Sequence, residues 1–153
     1  MRDDQRSARP SPVPDPESEP FFEAAGRSEL LLRHCPSCGA WAWPVPRLAT
    51  CQNCLEHGLE WARASGAGVV HAVTRVHYVP ADDDPSWAPF VVGVVELDEG
   101  VRTQIVGLLA REGSDVRVGD PVRAVFSSTR DDVYVPWFEV VGPGCGRARA
   151  LSR

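Results

Sequence analysis

Two pairs of cysteines constrain the fold of this chain more than any other feature of its sequence. The first Cys-x-x-Cys pair is Cys35 and Cys38, the second is Cys51 and Cys54, and twelve residues lie between the pairs. Each Cys-x-x-Cys turn directs two sulfurs toward one point, so the two turns together supply four ligands for a tetrahedral ion. The spacing therefore predicts a single metal site that all four cysteines share.

Zinc is the metal that this set of ligands favours. Four thiolates fill the tetrahedral coordination of zinc and leave no position for water, so we expect a structural ion and not a hydrolytic one. A segment of about 30 residues buries too little surface to fold without such an ion. An iron site of the rubredoxin type uses the same four sulfurs and is one alternative, and four cysteines that bind no metal are another.

Histidine and tryptophan side chains surround the cysteines. His34 and His57 each lie beside a complete cysteine pair, and we expect them to stay outside the ligand set. The three tryptophans of this segment, Trp41, Trp43 and Trp61, favour a packing role between the metal segment and the rest of the chain. A platform on which a ligand stacks is the alternative for these tryptophans.

The residues that follow the metal segment are rich in β-branched and aromatic side chains. Five β-rich runs are separated by turn signals, with a tight hairpin expected at residues 98–100 and another at 129–132. The runs span residues 69–79, 89–98, 101–110, 121–128 and 133–141. Five strands in this order, with a longer link after the third, predict a small OB-fold barrel, and a β-sandwich is the alternative.

The whole chain divides into four segments on composition and pattern. They are residues 1–19, 20–63, 64–141 and 142–153. The first and last segments have little apolar surface to bury and predict flexible tails. The second holds a short helix at residues 21–25 and a strand at 29–34 before the cysteines, which predicts a rubredoxin-like zinc ribbon. The third is the expected OB-fold, so the expected fold class is mainly β.

Composition and charge disfavour several classes of function. No apolar run approaches the roughly 18 residues that cross a bilayer, which disfavours a membrane protein. Five cysteines without a secretion signal disfavour a disulfide framework, so we expect a cytoplasmic protein. The barrel segment carries six Arg against twelve Asp and Glu, a net charge of −6. Binding of nucleic acid, which needs a cationic groove, is therefore disfavoured.

The barrel segment carries no evident catalytic constellation. His77 is a candidate base near the acidic residues at 82–84, yet no Ser or Cys nucleophile lies at a motif spacing and no glycine-rich phosphate loop is present. Trp87 belongs to a loop that is a candidate contact with a partner, and Cys145 receives no role. These residues predict a chain that has no active site of its own.

Several linked motifs resemble one known family. They are PFFEAAGRSELLLRHCPSCG, CQNC with LEW, SGAGVVHAVTRVHY, PFVVGVVELDEGVR and DVRVGDPVRAVF, and they extend over residues 20–141. In this order they resemble the zinc-ribbon plus OB-fold family known as domain of unknown function thirty-five. The four cysteines carry over from that family as metal ligands, whereas Leu55 stands where a Gly is common.

This resemblance implies an accessory role. Members of the family accompany thiolase-like enzymes of acyl-CoA metabolism, among them lipid-transfer-protein-type aldolases of steroid side-chain degradation. The partner carries the catalytic residues, while the ribbon and barrel subunit stabilises it and helps to shape its acyl-CoA entrance. Two other functions stay open, which are an independent OB-fold module that binds a ligand or nucleic acid, and a rubredoxin-like electron carrier.

Overall fold

The computed structural model describes residues 11–44, 49–78, 89–109 and 115–142. Within these ranges the chain forms one short helix followed by eight strands, and no helix there is both long and apolar enough to cross a membrane. The elements are α1 (Glu19–Gly26), β1 (Leu31–His34), β2 (Trp41–Ala42), β3 (Glu60–Arg63), β4 (Ala67–Val76), β5 (Phe90–Leu97), β6 (Val106–Leu109), β7 (Pro121–Ser128) and β8 (Tyr134–Val140). The chain is mainly β, as the sequence predicts.

Helix α1 begins earlier than the predicted helix. Glu19 and Pro20 occupy its first turn, where a proline costs no hydrogen bond and an acidic side chain faces the positive end of the helix dipole. The helix buries Phe21, Ala24 and Ala25. Together with the partly buried Phe22, these side chains hold the helix on the rest of the molecule.

Strand β1 is the centre of a three-stranded antiparallel sheet in the order β2-β1-β3. It begins at Leu31, later than predicted, because the N–H of Glu29 donates to the end of α1 at 2.9 Å and not to a neighbouring strand. The sequence predicts an outgoing and a returning strand between the cysteine pairs. Among the described residues of that stretch only β2 is a strand, and Thr50 forms an isolated bridge with His57. Residues 45–48 lie outside the described ranges.

Strands β4 to β8 form a closed barrel in the order β4-β5-β6-β8-β7, in which β7 returns to pair with β4. Neighbouring strands are antiparallel except β6 and β8, which run parallel. A closed five-stranded barrel with this crossover is an OB-fold. The prediction of an OB-fold is confirmed, and the alternative of a sandwich is wrong.

Both predicted hairpin turns are present, but β6 is shorter than its predicted run. The N–H of Gly100 closes the β5–β6 turn at 2.8 Å, and the N–H of Asp132 closes the β7–β8 turn at 3.2 Å. After the first turn, the hydroxyl of Thr103 accepts the N–H of Val95 at 3.0 Å while the Thr103 N–H donates to the Val95 carbonyl at 2.9 Å. This side-chain bond interrupts the regular ladder, so β6 begins only at Val106.

One hydrophobic core joins the helix, the three-stranded sheet and the barrel. Phe21 of α1 and Leu32 of β1 belong to the same buried cluster as Val95 and Phe138 of the barrel. The last three of these side chains are fully buried. The sheet that carries the cysteines is therefore fixed to the barrel by apolar packing.

Part of the proline-rich N-terminal segment also contacts the barrel. The Ser11 hydroxyl lies 2.7 Å from the Thr129 hydroxyl and accepts the N–H of Asp131 at 2.9 Å.

A local turn precedes helix α1. The Asp15 carboxylate accepts hydrogen bonds from the hydroxyl and the N–H of Ser18 at 2.6 and 2.7 Å. The side-chain and backbone bonds from Ser18 lower the pKa of Asp15. Thus Ser11, which lies in the segment that the sequence assigns to a tail, contacts the barrel, and Asp15 and Ser18 form a local hydrogen-bonded turn.

Candidate metal centre

The four cysteine sulfurs meet at one point beside the three-stranded sheet. The Sγ atoms of Cys35, Cys38, Cys51 and Cys54 all lie within 4.8 Å of one another. Across the two pairs, Cys35 is 3.6 Å from Cys54 and Cys38 is 3.7 Å from Cys51. A tetrahedral ion with metal–sulfur bonds of about 2.3 Å separates its ligand sulfurs by about 3.8 Å. The four sulfurs are therefore positioned to bind one metal ion.

Both cysteine pairs lie in turns with the same backbone hydrogen bonds. In the first turn the N–H of Gly39 donates to the Cys35 carbonyl at 2.8 Å, and the Cys35 N–H donates to the carbonyl of Ala40 at 2.8 Å. In the second turn the N–H of Leu55 donates to the Cys51 carbonyl at 2.9 Å. The two turns are thus matched, and Gly39 and Leu55 occupy equivalent positions.

The residue at that position has a left-handed backbone in both turns. The φ angle is +72° at Gly39 and +64° at Leu55. Glycine adopts this conformation freely, whereas a residue with a Cβ atom loses roughly 1–2 kcal/mol in it. The Leu55 side chain is also 75% exposed, so little packing offsets this cost. Leu55 is an apolar side chain held in an unfavourable conformation at the tip of the metal site.

The four sulfurs differ in exposure. Cys35 and Cys51 are buried, Cys54 is partly buried and Cys38 is exposed. Leu59 packs against the two buried sulfurs and closes the inner side of the site. Solvent therefore reaches the metal site from the side of Cys38.

The protonation of the sulfurs depends on the hydrogen bonds that reach them. The Asn53 side chain and the backbone N–H of Ala40 lower the pKa of Cys38 to about 6. The backbone N–H of Glu56 lowers the pKa of Cys54, but burial and the neighbouring sulfurs outweigh it and raise that pKa to about 12. Without a cation the Cys54 thiol therefore stays protonated near neutral pH. A bound metal ion supplies the positive charge that four thiolates need.

The two histidines beside the cysteines have other neighbours. The His34 ring lies 4.8 Å from the ring of Trp41, and Nδ1 of His57 lies 3.3 Å from the Thr50 hydroxyl. Neither histidine contributes a ligand atom to the group of four cysteines that meets at the site.

The three tryptophans pack the metal segment onto the shared core, as the sequence predicts. The Trp43 ring makes an edge contact with Phe21 of α1 at 5.8 Å between ring centres, and the Arg33 guanidinium lies 4.8 Å above the ring of Trp61. Trp41 and Trp43 also line a cavity of about 400 Å³. The second cysteine turn and residues 101–104 of the barrel form its other walls. The cavity therefore lies where the metal site meets the barrel.

The other candidate residues are separate from the metal site or lie outside the described ranges. His77 is exposed next to the end of β4. Trp87, Cys145 and residues 82–84 fall outside the described parts of the chain. The residue that sequence analysis overlooked is Asn53, whose side chain donates to the Cys38 sulfur at 3.5 Å. Its place between Cys51 and Cys54 was the one sign in the sequence that this side chain contacts the metal site.

The fold and the site together define a class of protein, in which a sheet that carries a four-cysteine metal centre of the zinc-ribbon kind shares one core with an OB-fold barrel. Residues 61–127 match the family model described as ChsH2, C-terminal OB-fold domain. A DUF35 domain-containing scaffold protein of Methanothermobacter thermautotrophicus is 34% identical over 109 residues, which cover 69% of this chain and 77% of that protein. The chain belongs to the DUF35 family.

Two further similarities extend over most of the chain. A probable enoyl-CoA hydratase alpha subunit of Thermomonospora curvata is 27% identical over 141 residues. That match covers 90% of this chain but 42% of the relative, so the chain spans less than half of that protein's length. A solved structure described as the Ltp2-ChsH2(DUF35) aldolase matches with a TM-score of 0.69 and 25% identity, over 85% of this chain and 98% of that one. The likeness to the aldolase chain thus includes both the cysteine-bearing sheet and the barrel.

Proposed function

We propose that this chain is a non-catalytic accessory subunit that binds and stabilises a thiolase-like enzyme acting on carbon–carbon bonds of acyl-CoA thioesters. The observation that carries the proposal is the structural match to the Ltp2-ChsH2(DUF35) aldolase, which covers nearly the whole of the matched chain. The relative described as a scaffold protein supports the same role. The partner would be of the thiolase or lipid-transfer-protein type, and the reaction a condensation or a retro-aldol cleavage.

The metal site fits a structural role in such a subunit. We propose one Zn2+ bound by Cys35, Cys38, Cys51 and Cys54, because four thiolates complete its tetrahedral coordination. When bound, the ion supplies folding energy and no open position for substrate. The shared core fixes the cysteine-bearing sheet to the barrel, and the cysteines themselves pack with Leu59 in a smaller cluster beside it. Thiolate ligands persist in a reducing compartment, which supports a cytoplasmic location.

We propose that the subunit acts through two units, which are the helix with the zinc ribbon at residues 20–63 and the OB-fold at residues 64–141. Residues 1–19 and 142–153 flank these two units. We place the contact with the enzyme on the ribbon side, because Leu55 projects there as an exposed apolar side chain in an unfavourable backbone conformation. We propose that the same side borders the acyl-CoA entrance of the partner. Thioesters of steroid side chains are one substrate class to test.

Co-expression with a thiolase-like enzyme of the same genome tests the proposal. The two chains should co-elute as one species in size-exclusion chromatography with light scattering. A complex this stable should bury more than about 1,200 Å² of surface. A variant with Cys35→Ser, which removes one buried ligand, should lose the complex together with the metal. Two chains that elute separately under all loading ratios would contradict the accessory role.

Metal analysis of the same preparation separates the structural role from electron transfer. One zinc per chain in a colourless protein supports the structural ion. A red protein that bleaches on reduction with dithionite would support the rubredoxin-like electron carrier, since iron fits the same four sulfurs.

A further inference from the structure

Asn53 contacts a sulfur of each cysteine pair. Its backbone N–H points to the sulfur of Cys51, with nitrogen and sulfur 3.4 Å apart. Its side-chain Nδ2 lies 3.5 Å from the sulfur of Cys38, which is fifteen residues away in the other turn. A thiolate accepts hydrogen bonds, so the amide must present its NH2 group to Cys38. One residue therefore connects the two turns through the atoms that face the metal.

We propose that Asn53 is a positioning residue that clamps the two cysteine pairs together and slows the loss of the metal ion. This inference rests on the metal ion proposed above and is independent of the enzyme partner. Four thiolates around a divalent ion carry an excess of negative charge, and N–H donors that point at the sulfurs disperse it. The side-chain amide of Asn53 lies in the second turn and supplies such a donor to Cys38 in the first turn.

The position of the acceptor makes this bond important. Cys38 is the exposed sulfur of the four, so water and competing chelators reach it before the buried ones. A hydrogen bond from Asn53 holds this sulfur toward the site. Release of the ion that begins at Cys38 must therefore break the Asn53 contact first.

The first cysteine pair provides a matched comparison within the same molecule. Ser37 lies at the same place between Cys35 and Cys38 as Asn53 does between Cys51 and Cys54. Ser37 is exposed, and its side chain has no hydrogen bond to another residue among the described contacts. Gln52, the neighbour of Asn53, is also exposed. Both residues line the cavity between the metal site and the barrel, but no hydrogen bond from the Gln52 side chain to a sulfur is among the described contacts. Substitutions of these two residues are therefore suitable controls.

The test uses the full chain loaded with Zn2+ and measures the rate at which a chromogenic chelator removes the ion. Loss of an outer hydrogen bond to a metal ligand commonly reduces affinity about 10- to 100-fold. We expect Asn53→Ala and Asn53→Ser to release zinc about tenfold faster than the native chain. Asn53→Asp, which places a carboxylate oxygen near Cys38, should release zinc faster still. Ser37→Ala and Gln52→Ala should release it at the native rate.

A spectroscopic measurement distinguishes the clamp from a merely structural effect. When Co2+ replaces zinc, the sulfur-to-metal charge-transfer band should move to longer wavelength in Asn53→Ser, because a sulfur without its hydrogen bond donates electrons more readily. The Ser variant keeps the backbone N–H and the side-chain type that the first turn already accommodates, so the chain should fold. Native release rates together with an unshifted band would overturn the inference. A native chain that binds neither Zn2+ nor Co2+ would instead refute the metal proposal on which it rests.

Discussion

Replacing Leu55 by glycine should stabilise the free subunit slightly and weaken its complex with the enzyme. The left-handed φ of +64° at Leu55 is one that glycine adopts freely. Relief of the strain contributes about 1–2 kcal/mol, and the greater freedom of glycine in the unfolded chain removes about 0.5–1 kcal/mol of that gain. The isolated variant should therefore unfold with a free energy equal to the native one or up to about 1.5 kcal/mol higher.

The effect on binding has the opposite sign. Full burial of a leucine side chain contributes about 1.5–3 kcal/mol. Because Leu55 is 75% exposed in the free subunit, roughly 1–2 kcal/mol of this is available on binding. Since 1.4 kcal/mol corresponds to a tenfold change, the Kd should rise about five- to thirtyfold.

Two measurements on the same variants test the expected gain in stability and the expected loss of affinity. Chemical denaturation of the free chain gives the stability, and calorimetric titration with the thiolase-like enzyme gives the Kd. Gly39→Leu is the matched control, because it introduces the same strain in the first turn, where nothing lies within 4 Å of an added Cβ. It should lower stability without the loss of affinity that Leu55→Gly causes. Native affinity of Leu55→Gly would refute the placement of the interface at the second turn.

Three further predictions concern the metal site, the shared core and the N-terminal segment. Removing the ion with a strong chelator should unfold the cysteine-bearing sheet, seen as a loss of circular dichroism that added Zn2+ restores; a spectrum unchanged by the chelator would contradict a structural ion. Leu32→Ala, at a fully buried site in the core that joins sheet and barrel, should cost about 2–5 kcal/mol of unfolding free energy, whereas Leu55→Ala at the surface should not. The lowered pKa of Asp15 means that its bonds to Ser18 stabilise the native chain above the ordinary value of 3.8 and fade as pH falls through the native pKa. Denaturation of Asp15→Ala should therefore differ most from the native chain near neutral pH, and a difference that grows below pH 3.8 would refute this assignment.

The cysteine spacing and the run of β-rich segments were sufficient to predict the main architecture. The equal spacing within the two pairs places four sulfurs around one point, and the order of the five runs favours the closed barrel. Both features are local patterns whose physical meaning does not depend on distant residues. The tryptophans were also predicted to pack, because little else in the metal segment is apolar.

Other features depend on contacts that sequence does not reveal. Strand β6 begins late because the Thr103 hydroxyl takes the place of a backbone acceptor, and a threonine in a β-rich run gives no sign of this. Asn53 reaches a sulfur fifteen residues away only after both turns have folded. The contact of Ser11 with the β7–β8 turn spans more than a hundred residues and is likewise set by the tertiary fold.

Turnover of an acyl-CoA thioester by each component and by their complex decides whether this chain is an accessory subunit. The zinc-loaded chain alone should neither cleave nor condense carbon–carbon bonds. The thiolase-like enzyme should be more active, or remain active at higher temperature, when the chain is bound. Turnover by the isolated chain, or an enzyme whose activity and stability are the same with and without it, would contradict the accessory role.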